Sequence, residues 1–230
     1  MTTAAIAPAG TEANAAPAFS LRINEIFLSI QGETTRSGLP TIFIRLTGCP
    51  LRCSYCDTAY AFHEGRTLSG ADIMVAMSGW KTRFVTVTGG EPLAQKSCLL
   101  LLQHLCDQSY DVSLETGGAI DVSAVDPRVC KILDLKTPGS GEMDRNLMSN
   151  LAHMTGRDQF KFVICDRGDY EWARDLVLGQ ELAAQSEVLF SPSHGQLPAG
   201  QLADWLLADQ LPVRLQIQLH KQLWGDVRGR

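Results

Sequence analysis

The sequence predicts an α/β chain folded as an incomplete (β/α) barrel of about six parallel strands. Three observations predict it. Short β-branched runs alternate with amphipathic stretches, the pattern of a parallel sheet covered by crossover helices. Glycine-rich or polar clusters follow one strand after another, and in barrels the carboxyl ends of the strands carry the chemistry. Between some strands the helical stretch is short or missing, which leaves the barrel open.

Composition bounds the rest. The net charge of −5 argues against broad nonspecific nucleic-acid binding. Seven cysteines, an odd number, suit a reducing cytoplasm better than a disulfide framework. No apolar run is long enough to span a bilayer, so no membrane association is expected. Residues 1–20 are rich in Ala, Thr and Pro, lack a basic start and a Leu-rich centre, and have no arginine before Arg22. They read as a disordered tail rather than a leader. With no repeat and no long linker, residues 21–230 read as a single domain.

Residues 21–30 read as a strand, followed by Gln31-Gly32-Glu33 and a turn-rich loop over 34–40. Residues 41–47 are the next strand, running straight into Cys49. Ser69 caps a helix reaching to about residue 78, with Asp72 favouring its positive end. Residues 83–87 are a buried strand ending in Thr88-Gly89-Gly90-Glu91-Pro92, and a helix covers 94–109. Residues 111–114 and 130–135 are strands, ending in Glu115-Thr116-Gly117-Gly118 and Lys136-Thr137-Pro138. A helix is expected over 144–154, a strand over 159–165 and a helix over 169–184. Strand 188–190 leads to Ser191-Pro192-Ser193, a helix covers 197–209, and strand 213–219 ends at His220.

The loop after the second strand holds Cys49, Cys53 and Cys56 at C-x3-C-x2-C spacing. Three thiolates on one tight loop hold three irons of a 4Fe-4S cluster and leave the fourth iron open for a substrate or cofactor. The rival reading is zinc, which usually takes four ligands in paired C-x2-C knuckles. Only one such pair exists here, and Cys98, Cys106, Cys130 and Cys165 lie in distant apolar stretches as small core residues.

C-x3-C-x2-C, together with Gly89-Gly90-Glu91-Pro92, resembles the signature of the radical S-adenosylmethionine (SAM) superfamily. The resemblance implies a radical SAM core, with the open iron chelating the methionyl group of SAM. It also implies that a 5′-deoxyadenosyl radical, rather than a protein side chain, abstracts the substrate hydrogen. The stretch 25–33, Phe43-Ile44-Arg45-Leu46, Cys56-Asp57-Thr58 and Glu115-Thr116-Gly117 narrow the likeness. So do Asp134-Leu135-Lys136, Lys161-Phe162-Val163 and Gln218-Leu219-His220-Lys221. From about Ile23 onward the chain is similar to the 7-carboxy-7-deazaguanine synthase family, and it departs from it in Gln31-Gly32-Glu33-Thr34, where that family often has a second glycine.

That likeness implies a lyase making 7-carboxy-7-deazaguanine from 6-carboxy-5,6,7,8-tetrahydropterin with loss of ammonia, in queuosine and deazapurine biosynthesis. It implies substrate contacts from Gln31, Gly32, Glu33, Arg45, Thr88 and His220, and cofactor contacts from Gly90, Glu115, Asp134, Lys136, Ser191 and Pro192. It implies Mg²⁺ at Thr58, a flavodoxin or ferredoxin as reductant, and a homodimer. The residues leave some roles open. Arg45 is a cation in an apolar strand and needs an anion, either a substrate carboxylate or an internal one such as Glu33. Asp57-Thr58 is equally an Asx turn, and His220 equally a hydrogen-bonded structural histidine. Two other functions stay open, the first sharing the cysteine spacing and chain length. An activating enzyme for a glycyl-radical protein has no need of Arg45, and a non-catalytic iron–sulfur carrier binds no SAM.

Overall fold

The computed structural model describes residues 18–229. Residues 1–17 of the expected tail lie outside the described residues, and Ser20 already opens the first strand. The strands are β1 (Ser20–Ile30), β2 (Pro40–Leu46), β3 (Arg66–Ser69), β4 (Phe84–Gly89) and β5 (Asp111–Thr116). They continue as β6 (Cys130–Asp134), β7 (Gln159–Ile164), β8 (Glu187–Pro192) and β9 (Arg214–Leu215). Among the described residues they form one sheet in the order β3-β1-β2-β4-β5-β6-β7-β8-β9. From β2 to β9 every pairing is parallel, while β1 runs antiparallel to both its neighbours. The edges β3 and β9 do not meet, so the barrel is open, as the sequence predicts.

Alternation along the strands divides outside from inside. Ile42, Ile44, Val85, Val87, Phe160 and Phe162 are fully buried in the hydrophobic core. Phe162 meets Trp172 edge-on, ring centroids 6.3 Å apart, which turns this row toward the helices. The intervening Phe43, Arg45, Thr88, Glu115, Lys161 and Val163 line a cavity inside the barrel. A strand that packs helices on one face and encloses a chamber on the other can be apolar outside and polar inside.

The helices are α1 (Gly70–Met77), α2 (Cys98–Asp107), α3 (Arg167–Gly179), α4 (Leu182–Gln185), α5 (Ala199–Asp209) and α6 (Leu219–Trp224). Ser69 caps α1 through a reciprocal bond pair with Asp72, as its sequence predicts. Helix α2 buries Leu101, Leu102 and Leu105, and α3 buries Tyr170, Ala173 and Val177, rows at helical spacing.

Three expected elements differ. The helix over 169–184 breaks into α3 and α4 where Glu181 adopts a left-handed conformation, φ 50°. The segment 213–219 pairs only through Arg214–Leu215, and His220 then lies on α6 rather than directly after a strand. The helix over 144–154 is replaced by short 3-10 turns, Met143–Arg145 and Met148–His153. Tertiary hydrogen bonds explain that replacement. Buried Asn150 accepts from Val122 N at 3.1 Å and donates to the carbonyls of Gly118 and Ile120 at 3.2 and 2.9 Å. Asn146 likewise brackets the backbone of Lys136, at 2.9 Å on both sides. These side chains satisfy loop backbone that has no helix of its own.

Asn150→Leu removes three partners from buried backbone groups. We expect a loss of about 3 kcal/mol in unfolding free energy by urea denaturation. An unchanged midpoint would show that the asparagine does not hold the crossover.

Candidate active site

β2 delivers the cysteine loop to the carboxyl end of the barrel, and β4 locks it there. Leu46 pairs with Gly89, Gly90 N donates to Leu46 O at 3.2 Å, and Glu91 N donates to Gly48 O at 2.7 Å. A Cβ at Gly90 would lie 2.2 Å from that carbonyl oxygen, so this contact admits only glycine. Cys49, Cys53 and Cys56 are free thiols, and all three line the cavity. Burial raises the pKa of Cys49, and pushes that of Cys53 up to about 11. Thiols in such surroundings need a bound cation to stay ionised, which is what iron supplies. Among the described residues no three His, Cys, Asp or Glu side chains converge on one ion, whereas a cluster spreads its ligands over three irons. The loop therefore fits a 4Fe-4S cluster.

Below the loop lies a chamber of buried, opposed charges. Glu33 pairs with Lys161 Nζ and accepts from Gln218 Nε2 at 2.6 Å. Burial opposes charge on Glu33, yet the Lys161 ammonium holds the carboxyl below its usual value. Glu115 accepts from Thr88 Oγ1 at 2.9 Å and Gln31 Nε2 at 3.4 Å. Burial, reinforced by nearby Glu33, pushes Glu115 up. Gln31 is 1% exposed; its Oε1 accepts from the amides of Gly32 and Glu33.

Arg45 stands directly opposite Glu25 on β1, a register set by the irregularity between Ile23 and Glu25. Arg45 Nε donates to Glu25 at 2.7 Å, and Tyr60 OH donates to the same oxygen at 2.9 Å. The internal partner is therefore Glu25 rather than Glu33. Only Nε is used in that pair, and the residue lines the cavity.

On the side toward the cysteines, Glu91 accepts from Thr116 Oγ1, from Leu93 N at 3.0 Å and from Gly117 N at 2.7 Å. Burial raises its pKa. Lys136 lies 3.0 Å from Asp134, which opposes the effect of burial and raises the lysine pKa. Ser191 Oγ and Tyr55 OH line the cavity, buried and without a hydrogen-bond partner among the described residues. Buried polar atoms left unpaired at a cavity wall are suited to a polar ligand such as SAM.

The open seam of the barrel is closed by the C-terminal segment. Lys221 pairs with Asp57 at 3.0 Å, Leu219 N donates to Gly32 O at 3.1 Å, and Arg228 binds Glu64 at 2.8 Å. Thr58 Oγ1 donates to Asp57 at 2.7 Å, and Asp57 is pulled down to about 2, burial being outweighed by Thr58 and Lys221. His220 packs on Gly32, where a Cβ would lie 2.5 Å from its Nδ1, and burial lowers its pKa.

Every residue singled out in the sequence as a ligand, substrate contact or cofactor contact lines this one cavity. Cys98 and Cys130 are core residues elsewhere. The sequence assigns no individual role to Lys161, Tyr55 or Glu25, which the structure places at the site. Lys161 carried the same signal as Arg45, a cation between apolar neighbours in a strand. Glu25 carried none, because its partner is fixed by register.

Residues 43–135 match the radical SAM superfamily. The chain is 44% identical over 213 residues to 7-carboxy-7-deazaguanine synthase of Chlorobaculum tepidum, covering 91% of this chain and 97% of that protein. It is 40% identical over 219 residues to 7-carboxy-7-deazaguanine synthase of Koribacter versatilis, covering 89% and 97%. The crystal structure of QueE from Escherichia coli shares the fold with TM-score 0.69 at 24% identity, over 86% of this chain and 94% of that one. By this similarity, with the cysteine loop and the Gly-Gly turn in place, the chain belongs to the 7-carboxy-7-deazaguanine synthase family of radical SAM enzymes.

Proposed function

We propose that this chain is a cytoplasmic lyase that converts 6-carboxy-5,6,7,8-tetrahydropterin to 7-carboxy-7-deazaguanine with release of ammonia, supplying queuosine and related deazapurines. The product is the substrate less one ammonia, so the reaction needs no net oxidant. The observation that carries the reading is a chamber of fixed charges and amides directly beneath three cysteines held for an open-iron cluster. The 4Fe-4S cluster and SAM, when bound, supply the radical that takes the substrate hydrogen.

The residues do the positioning. Cys49, Cys53 and Cys56 hold the cluster. Gly90, Glu115, Asp134, Lys136, Ser191 and Pro192 hold SAM against it. Arg45, steadied through Nε by Glu25, offers its terminal nitrogens to the substrate carboxylate. Glu33, kept ionised by Lys161, and Gln31 accept from and donate to the amide edge of the pterin, with Gly32, Thr88 and His220 completing the walls. Thr58, whose hydroxyl donates to Asp57 and keeps its oxygen lone pairs free, would hold Mg²⁺, a hard cation that keeps few protein ligands and would help polarise the substrate. No described helix is long and apolar enough to cross a membrane. A flavodoxin or ferredoxin as reductant and a homodimeric assembly complete the proposal.

Anaerobic reconstitution with iron, sulfide, reductant, SAM and the carboxypterin should yield the deazaguanine acid. Cleavage of SAM without that product rejects the substrate, and protein that takes up zinc in place of iron rejects the cluster. Arg45→Ala should weaken carboxypterin binding roughly tenfold or more while SAM cleavage continues. Equal affinity would remove the arginine from the substrate site. Gly90→Ala must displace the Gly48 carbonyl. We expect the reduced cluster's EPR spectrum no longer to shift on adding SAM; a normal shift would show that the close contact is not needed.

A further inference from the structure

The loop over residues 31–39 joins β1 to β2 and passes beneath the barrel, at the amino ends of the parallel strands. Its neck is closed by Gln31 N donating to Leu39 O at 2.9 Å and Gly38 N donating to Gln31 O at 2.8 Å. The upper side reaches into the chamber. Gln31 Nε2 donates to Thr86 Oγ1 at 3.1 Å, and Glu33 meets Lys161. The tip is gripped from outside the chamber. Thr35 N donates to Gln159 Oε1 at 3.0 Å, and Gln159 Nε2 donates back to Thr35 Oγ1 at 2.9 Å. Arg36 donates to both the carbonyl and the carboxylate of Asp111, at 3.2 and 2.6 Å, and its guanidinium lies 5.5 Å from the Phe84 ring centroid. The grip thus falls on the first residues of β4, β5 and β7.

Gln159 is 3% exposed. A buried amide costs free energy unless its bonds are made, and the two bonds to Thr35 engage both ends of this one. Neither Gln159 nor Arg36 lines the cavity, and both lie at the strand ends opposite the cysteine loop. Thr35 is two residues from Glu33 on a loop tied shut at its neck, so a shift at the tip moves the carboxylate inside the chamber.

We propose that Gln159 and Arg36 are positioning residues for the substrate: they set the height of the floor from which Gln31 and Glu33 meet the pterin, without touching it. This rests on the proposed contact of Gln31 and Glu33 with substrate. The grip of Gln159 and Arg36 touches none of the residues assigned to the cluster or SAM, so substrate affinity should change before SAM chemistry does. An effect of about tenfold is expected, because small displacements of positioning groups cost one to two orders of magnitude.

The test uses the reconstituted holoenzyme carrying Gln159→Ala, Arg36→Ala, Thr35→Val or Arg36→Lys. The alanine variants should raise the carboxypterin KM about tenfold, with SAM affinity and substrate-free SAM cleavage as in the unaltered protein. Thr35→Val, which removes one bond of the reciprocal pair, and Arg36→Lys, which keeps the charge, should give smaller rises and decide the matter if an alanine variant fails to fold. An unchanged KM, or a KM that rises together with loss of SAM binding, overturns the clamp while leaving the proposed reaction standing. Absence of carboxypterin turnover by the unaltered enzyme overturns the reaction and the clamp with it.

Discussion

Opposed charge buried inside the barrel is the constraint on which the rest depends. Glu33, Glu115 and Asp134 face Lys161 and Lys136 in a space that small barrels normally fill with apolar side chains. An unpaired ion there would be prohibitively desolvated, so Lys161 pairs with Glu33 and Asp134, Lys136 with Asp134, and Glu115 accepts hydrogen bonds from Thr88 and Gln31. Because the interior is lined by paired and hydrogen-bonded polar groups, it stays open and polar, and the hydrophobic stabilisation moves to the outer faces of the strands. There Ile42, Ile44, Val85, Val87, Phe160 and Phe162 pack in the core that the helices cover.

Two ends of the barrel contribute different things. The carboxyl ends supply the cysteine loop, the Gly-Gly turn and the Asp134–Lys136 pair. The amino ends are crossed by the loop after β1, which lifts Gln31 and Glu33 into the chamber from below. This arrangement follows from β1 running antiparallel to β2: its last residue emerges at the end of the barrel opposite the cysteines. The missing closure between β3 and β9 is made good by the C-terminal segment, whose Gln218, Lys221 and Arg228 tie Glu33, Asp57 and Glu64 together. In an open barrel such a segment both fills the seam and forms a wall of the site.

The carriers of chemistry were legible because their signals are local. Cysteine spacing, paired glycines after a strand and a lone arginine in an apolar run each have a physical meaning within a few residues of chain. Helix limits read less well where tertiary bonds replace helical ones. The segment 144–154 looks helical by composition, but Asn146 and Asn150 are committed to the backbone of neighbouring loops. Residues 213–219 alternate like a longer strand, while only Arg214–Leu215 finds a partner.

By itself the sequence determined that an α/β barrel carries three cysteines at C-x3-C-x2-C spacing after a strand and that polar residues follow its neighbours, since periodicity and spacing are properties of contiguous chain. Only the tertiary structure decided that Arg45 answers to Glu25, that Glu33 answers to Lys161, and that Gln159 grips Thr35 from 124 residues away. Those pairings are set by strand register and by a loop passing beneath the sheet, and neither leaves a mark on the residues nearby in sequence.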